Sequence, residues 1–308
     1  MRTLVLRLSK FAARVIVCLV LVAGGSAHGQ TNGQPQSYEA TFYPSGKMKI
    51  EAYVYKPEGT GPFPVVIYNH GSRAGHEREE RPFVYVGEML RRGGYVVIVP
   101  ERRGYGKSDG ATFGEAIGED RGPRFVERVR EETDDVLAVV EFVNALPYAD
   151  TKRMAVMGWS IGGIVSVFAA SQSSAFGAVV DQAGGALTWD QSHAMQQALK
   201  EAAGKIRIPL LGMVAKNDRT TESVKTVVHE AEARGATAQL IVYPAFTPRD
   251  AGGIAPGHLI FGKDGWKIWE GDLQEFLSKY LTSSPRLEPG DSCWFAFMPR
   301  YLRRVPAS

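Results

Sequence analysis

Six runs of consecutive apolar residues recur along the chain: PVVIYN (64–69), YVVIVP (95–100), MAVMGW (154–159), FGAVVD (176–181), PLLGMVA (209–215) and AQLIVY (238–243). None alternates strictly with polar residues, so each predicts a strand buried on both faces. Between them lie amphipathic stretches of helix length, at 82–92, 124–146, 161–173, 191–204, 220–234 and 266–281. Strands alternating with helices predict an α/β fold, a mostly parallel central sheet with right-handed crossovers and helices on both faces. Before Pro62 the pattern changes. Tyr38, Ala40 and Phe42 alternate, then Met48, Ile50, Ala52 and Val54 do the same beyond Pro44-Ser45-Gly46, which predicts an antiparallel start to the sheet.

The first residues follow neither pattern. Arg2, Arg7, Lys10 and Arg14 precede the apolar run Val15 to Ala23 and the small, polar stretch Gly24 to Gln30, the layout of a secretory signal peptide. The apolar run is shorter than the ~20 residues that span a bilayer, so stable membrane insertion after cleavage is not expected. This predicts a signal peptide over 1–29, a linker over 30–36, one large α/β domain over 37–282 and an irregular extension over 283–308, and it points to a secreted or periplasmic protein. The 308 residues are 44% hydrophobic, enough for one large core. The formal net charge of +3 rests on the four cations of the leader, and the rest of the chain is close to neutral. Nothing in that balance calls for a nucleic-acid partner. Of the two cysteines, Cys18 lies in the leader, so Cys293 has no intramolecular partner once it is cleaved.

The sequence Gly158-Trp159-Ser160-Ile161-Gly162-Gly163 stands where a buried strand passes into a helix. A sharp turn there, with glycines removing the Cβ atoms that would collide, lifts a serine hydroxyl to the edge of the sheet with a helix N-terminus behind it. A serine hydroxyl is a weak nucleophile until a base, itself oriented by a third group, takes its proton. Asp218 follows PLLGMVA and could serve as that third group or cap the helix from Thr220; Asp181 and Asp190 are its competitors. His258 lies in the loop after AQLIVY. Among the other histidines, His70 ends the first parallel strand, His76 sits in a charged turn, and His193 and His229 fall on helices. His76-Glu77-Arg78-Glu79-Glu80 lacks the second histidine of a His-Glu-x-x-His zinc motif, so no metal is expected.

Taken in order, His70-Gly71, Arg103-Gly104-Tyr105-Gly106-Lys107-Ser108, the Ser160 segment, Asp218 and His258 resemble the α/β-hydrolase superfamily over roughly Pro62 to Leu281. The compact layout and the Gly-aromatic-nucleophile-x-Gly-Gly turn resemble the dienelactone hydrolase family, whose namesake enzymes carry cysteine where this chain has Ser160. The turn is also similar to that of prolyl-oligopeptidase-type peptidases and acyl-peptide hydrolases, but the stretch before PVVIYN is too short for their substrate-screening domain. The resemblance implies a cofactor-free serine hydrolase of a small carboxylic ester. Ser160 would be the nucleophile, His258 the base and Asp218 its orienting acid. The N–H groups of Ile161 and Ser72 would form an oxyanion hole, supported by His70 and Gly71. Peptidase, acyltransferase and non-catalytic binding roles are the alternatives on the same scaffold. The segment 182–208 is too short for a large cap, and the loop 109–124 is either a wall of the cleft or a solvated surface.

Overall fold

The computed structural model describes residues 36–281. The expected signal peptide, nearly all of the linker, the C-terminal extension and Cys293 lie outside the described residues.

Eight strands form one sheet in the described residues, in the order β1 (Glu39–Ser45), β2 (Met48–Tyr55), β4 (Val96–Glu101), β3 (Phe63–Asn69), β5 (Ala149–Trp159), β6 (Ala178–Gln182), β7 (Leu210–Ala215) and β8 (Ala238–Tyr243). β1 pairs with β2, and β2 with β4, antiparallel; every other pairing is parallel. The continuous apolar runs have a plain cause in this architecture. In β3, Val65 and Ile67 enter one core while Val66 and Tyr68 enter the other, and β4 divides Val96 and Ile98 from Val97 and Val99 in the same way. One face is covered mainly by α3 (Pro123–Asn144), α4 (Ile161–Gln172), α5 (His193–Ala203) and α6 (Glu222–Glu232). The other is covered by α1 (Val84–Arg92) and α7 (Trp266–Leu281). No helix among the described residues is long and apolar enough to cross a membrane.

Three local expectations need correction. In β1 the inward face is the odd-numbered one: Tyr43 and Ser45 are buried, whereas Ala40 and Phe42 are exposed. The reason is α3, where the Tyr43 hydroxyl donates to the Asp135 carbonyl and Ser45 Oγ to Asp135 Oδ1, at 2.9 and 2.7 Å. Phe42, on this edge strand, lies instead beneath the Lys49 ammonium at 4.0 Å from the ring centre. Second, β2 is buried on both faces from Ile50 onward rather than on alternate residues. Third, the glycine-rich loop after β4 contains a short helix, α2 (Phe113–Ile117), held by a reciprocal cap between Thr112 and Glu115.

Candidate active site

The sharp turn expected at Ser160 is present. Ser160 has φ 60° and ψ −121°, a conformation that costs a non-glycine residue ~1–3 kcal/mol and is held by its surroundings. Its N–H donates to the Gln182 carbonyl at the end of β6 at 2.8 Å, and its own carbonyl accepts from Gly163 at 3.0 Å. The neighbouring glycines are required by close approach. A Cβ on Gly158 would overlap the Gly162 carbonyl, one on Gly162 the Asn69 carbonyl at the end of β3, and one on Gly163 the Asp181 carboxylate. Asn69 Nδ2 also donates to Ser166 Oγ at 3.0 Å, and Ser166 Oγ to the Gly162 carbonyl at 2.8 Å. The end of β3 and the first turn of α4 are thereby tied together.

Ile161 is the first residue of α4, so its N–H is among those that the helical ladder leaves free. Gly71 packs against the Ser160 turn, where a Cβ would lie 3.1 Å from that of Ser160. Ser72 lines two cavities with Ser160. His70 is fully buried, its Nδ1 2.7 Å from the Gly71 carbonyl, its ring stacked on Phe83 and edge-on to Tyr105. Burial holds its pKa well below the ordinary histidine range, with Arg102 and Arg73 adding to the effect, so it is a neutral spacer.

Beneath this loop lies a buried ionic cluster that the apolar pattern did not signal. Arg73 pairs with Glu101, its Nη1 donating also to the Glu79 carbonyl at 3.0 Å and its Nη2 to the Glu77 carbonyl at 3.2 Å. Arg102 donates to Glu132 at 2.8 Å and to the His70 carbonyl at 2.9 Å, and Arg103 meets Asp135 at 2.9 Å. Burial pushes the Glu101 carboxyl up to about 7, with Glu51 adding to it and Arg73 opposing. The one clue available in the sequence is the Glu-Arg-Arg that closes the apolar run of β4.

Asp218 follows β7 and is nearly buried; its Oδ2 lies 2.8 Å from Nδ1 of His258 and its Oδ1 accepts the Arg219 N–H at 2.7 Å. It does not cap α6, which begins at Glu222 after Thr221. His258 belongs to a 3-10 turn over Pro256–Phe261, where an open loop was expected. Its Nε2 is buried and has no hydrogen-bond partner, and the ring lines one cavity with Ser160. Asn217 was missed from the sequence. Its side chain donates to the Phe246 carbonyl at 2.8 Å and accepts from the Phe246 N–H at 2.9 Å, clamping the loop after β7 to the one after β8. Trp159, 5.6 Å from His258 between ring centres, lines the same cavity.

The competing aspartates stand elsewhere. Asp190 is exposed in the 3-10 turn Trp189–Gln191. Asp181 is fully buried under the Ser160 turn, its Oδ1 accepting from Gly184 N–H at 2.8 Å and its Oδ2 unpartnered, and burial pushes its carboxyl up to about 7. Of the other histidines, His193 opens α5 and His229 lies in α6, while exposed His76 contacts Glu79 and lines one cavity with Ser160 and His258.

Residues 50–256 match the model of the dienelactone hydrolase family. The chain is 25% identical over 239 residues to a provisionally named carboxymethylenebutenolidase of Escherichia coli (strain K12), covering 74% of this chain and 83% of that one. It is 24% identical over 151 residues to the quorum-quenching protein AidA of Acinetobacter baumannii, covering 49% of this chain and 45% of AidA. Among solved structures, the acylaminoacyl peptidase of Pyrococcus horikoshii superposes with a TM-score of 0.61 at 18% identity, over 82% of this chain and 44% of the peptidase. The chain thus spans less than half the length of AidA and of the peptidase.

Proposed function

The chain belongs to the dienelactone hydrolase family, and we propose that it is a carboxylic ester hydrolase that acts on small-molecule esters through a serine acyl-enzyme. The observation that carries this reading is the Asp218–His258 contact of 2.8 Å, with Nε2 of His258 unpartnered and its ring in the cavity that Ser160 lines. In this reading Ser160 Oγ attacks the ester carbonyl while its proton passes to Nε2 of His258. The carbonyl oxygen becomes an oxyanion held by the N–H groups of Ile161 and Ser72, and Asp218 stabilises the imidazolium. The tetrahedral intermediate collapses with cleavage of the bond to the alcohol oxygen, which takes the proton from Nε2. Water then attacks the acyl carbon, giving its proton to Nε2, and release of the acid returns that proton to Ser160.

The test is hydrolysis of p-nitrophenyl esters, from acetate to dodecanoate, by the chain and by Ser160→Ala, beside labelling with a fluorophosphonate. Turnover and labelling should both vanish in the variant. Labelling that persists at another serine, or no reaction with either reagent, would refute the assignment. Export belongs to the same proposal and rests on the leader pattern of residues 1–29. The mass of the protein recovered from outside the cytoplasm should begin between His28 and Thr31.

A further inference from the structure

Two hollows meet at Ser160. One, of about 250 Å³, is walled by Phe113, Ile117, Phe125, Ile161 and Leu187. The other, of about 340 Å³, is walled by Gly71, Trp159, Ile254 and His258. Ser72, Ala74, Ser160 and Leu187 border both, and His258 borders only the second.

We propose that the first hollow is the acyl subsite and that it takes an apolar acyl group of medium size, up to about eight non-hydrogen atoms, while the alcohol departs through the second. This rests on the ester-hydrolase reading of Ser160. The division follows from the chemistry. The departing oxygen receives its proton from Nε2 of His258, so it must lie within hydrogen-bond reach of that ring. The carbonyl oxygen is committed to the N–H groups of Ile161 and Ser72. The remaining substituent on the tetrahedral carbon is the acyl chain, and the space left for it is the hollow without the histidine.

The walls of that hollow select for apolar matter. Phe113, Ile117 and Phe125 are buried, and the rings of Phe113 and Phe125 meet edge to face at 5.6 Å. The wall is also built in place. Its helix, α2, is fixed by the Thr112–Glu115 cap, and the Arg128 guanidinium lies 5.9 Å over the Phe113 ring while it donates to the Ala111 carbonyl at 3.0 Å. Two charged side chains, Glu77 and Arg121, also line the hollow, but they are opposite in sign, and exposed Arg121 is engaged with the Gly118 carbonyl at 2.9 Å. The hollow therefore offers an acyl chain no net charge. At roughly 30 Å³ for a group the size of a water molecule, the volume admits about eight heavy atoms. Within that limit each added methylene should raise kcat/KM about three- to fourfold.

Two substrate series test the division: p-nitrophenyl esters of growing acyl length, and acetate esters of growing alcohol length. The acyl series should peak at hexanoate or octanoate and fall beyond. Ile117→Trp, which fills the hollow, should lower the octanoate value at least twentyfold relative to acetate while the ranking of the alcohols keeps its order. Ile117→Ala, which cannot overfill the site, should carry the optimum to longer acyl chains. An acyl profile that neither variant moves, or an alcohol ranking that moves in its place, overturns the inference. Ser160-dependent turnover would persist in that case. Absence of any ester turnover and of fluorophosphonate labelling in the unaltered chain overturns the parent reading and this one with it.

Discussion

Asp218 Oδ2 stands 2.8 Å from Nδ1 of His258, although the two residues are 40 positions apart and lie in the segments that follow different strands, β7 and β8. An aspartate there accepts the Nδ1–H and leaves Nε2 as the basic nitrogen. An asparagine in its place would keep the size but could donate to Nδ1 and favour the wrong tautomer. Asp218→Asn should therefore lower kcat by about 10⁴ with little change in KM, and slow fluorophosphonate labelling in proportion. A loss of less than tenfold in steady-state assays would remove Asp218 from the mechanism.

Gly162→Ala tests the turn that presents Ser160. The added Cβ would overlap the carbonyl of Asn69, a backbone atom within the sheet, so no side-chain rotation relieves it. The Ser160 turn and the end of β3 must then separate. Overpacking of this kind costs about 1–3 kcal/mol in stability, read by urea denaturation. Because the displaced strand end leads directly into the loop bearing Ser72, kcat should fall by more than tenfold in a variant that still folds.

The parts of this site that were legible in the sequence are those set by local pattern. The apolar runs announced their strands because helices cover both faces, and Ser160 announced its turn because glycines flank it where strand meets helix. His258 and Asp218 could be placed after their strands, but the segments that bear them are joined by a clamp, Asn217 to Phe246, between loops distant in sequence. The apolar alternation of β1 does not mark its inward face, because an edge strand can leave Phe42 outside and bury Ser45 against Asp135. The short helix α2 escaped notice because five residues give no helical period; its cap, Thr112 to Glu115, was the readable trace. Buried charges were the least legible. Arg73, Glu101, Arg102 and Glu132 enter the core only as pairs, and their partners come from separate segments.

The Arg73–Glu101 pair anchors the loop that carries Ser72. Arg73→Ala would leave Glu101 buried without its cation and free the Glu77 and Glu79 carbonyls that the guanidinium holds. The expected loss of stability is about 3–5 kcal/mol. Glu101→Gln, which keeps a hydrogen-bond acceptor for Arg73, should cost less stability yet still lower kcat, with KM changed less than kcat, because in the proposed mechanism the Ser72 N–H acts chiefly in the transition state. Chemical denaturation beside steady-state kinetics separates the two effects. Equal kcat in Glu101→Gln and the unaltered chain would show that the pair serves stability alone.

Asp181 gives the fold a pH dependence that one substitution should remove. Its carboxyl is held at about 7 by burial, against the ordinary value of 3.8. Between those two values the unfolded chain has lost the proton that the folded chain keeps. The folded state therefore binds more protons, and its stability declines as pH rises through that window. A difference of about three units corresponds to roughly 4 kcal/mol at most. Asp181→Asn cannot ionise and keeps an oxygen for the Gly184 N–H. Glu101, also held at about 7, titrates in both proteins and cancels from the comparison. The stability of the variant minus that of the unaltered chain, from urea denaturation, should rise between about pH 4 and pH 7 and level off above. A difference that stays flat across that range would mean that the Asp181 carboxyl is solvated in the folded protein.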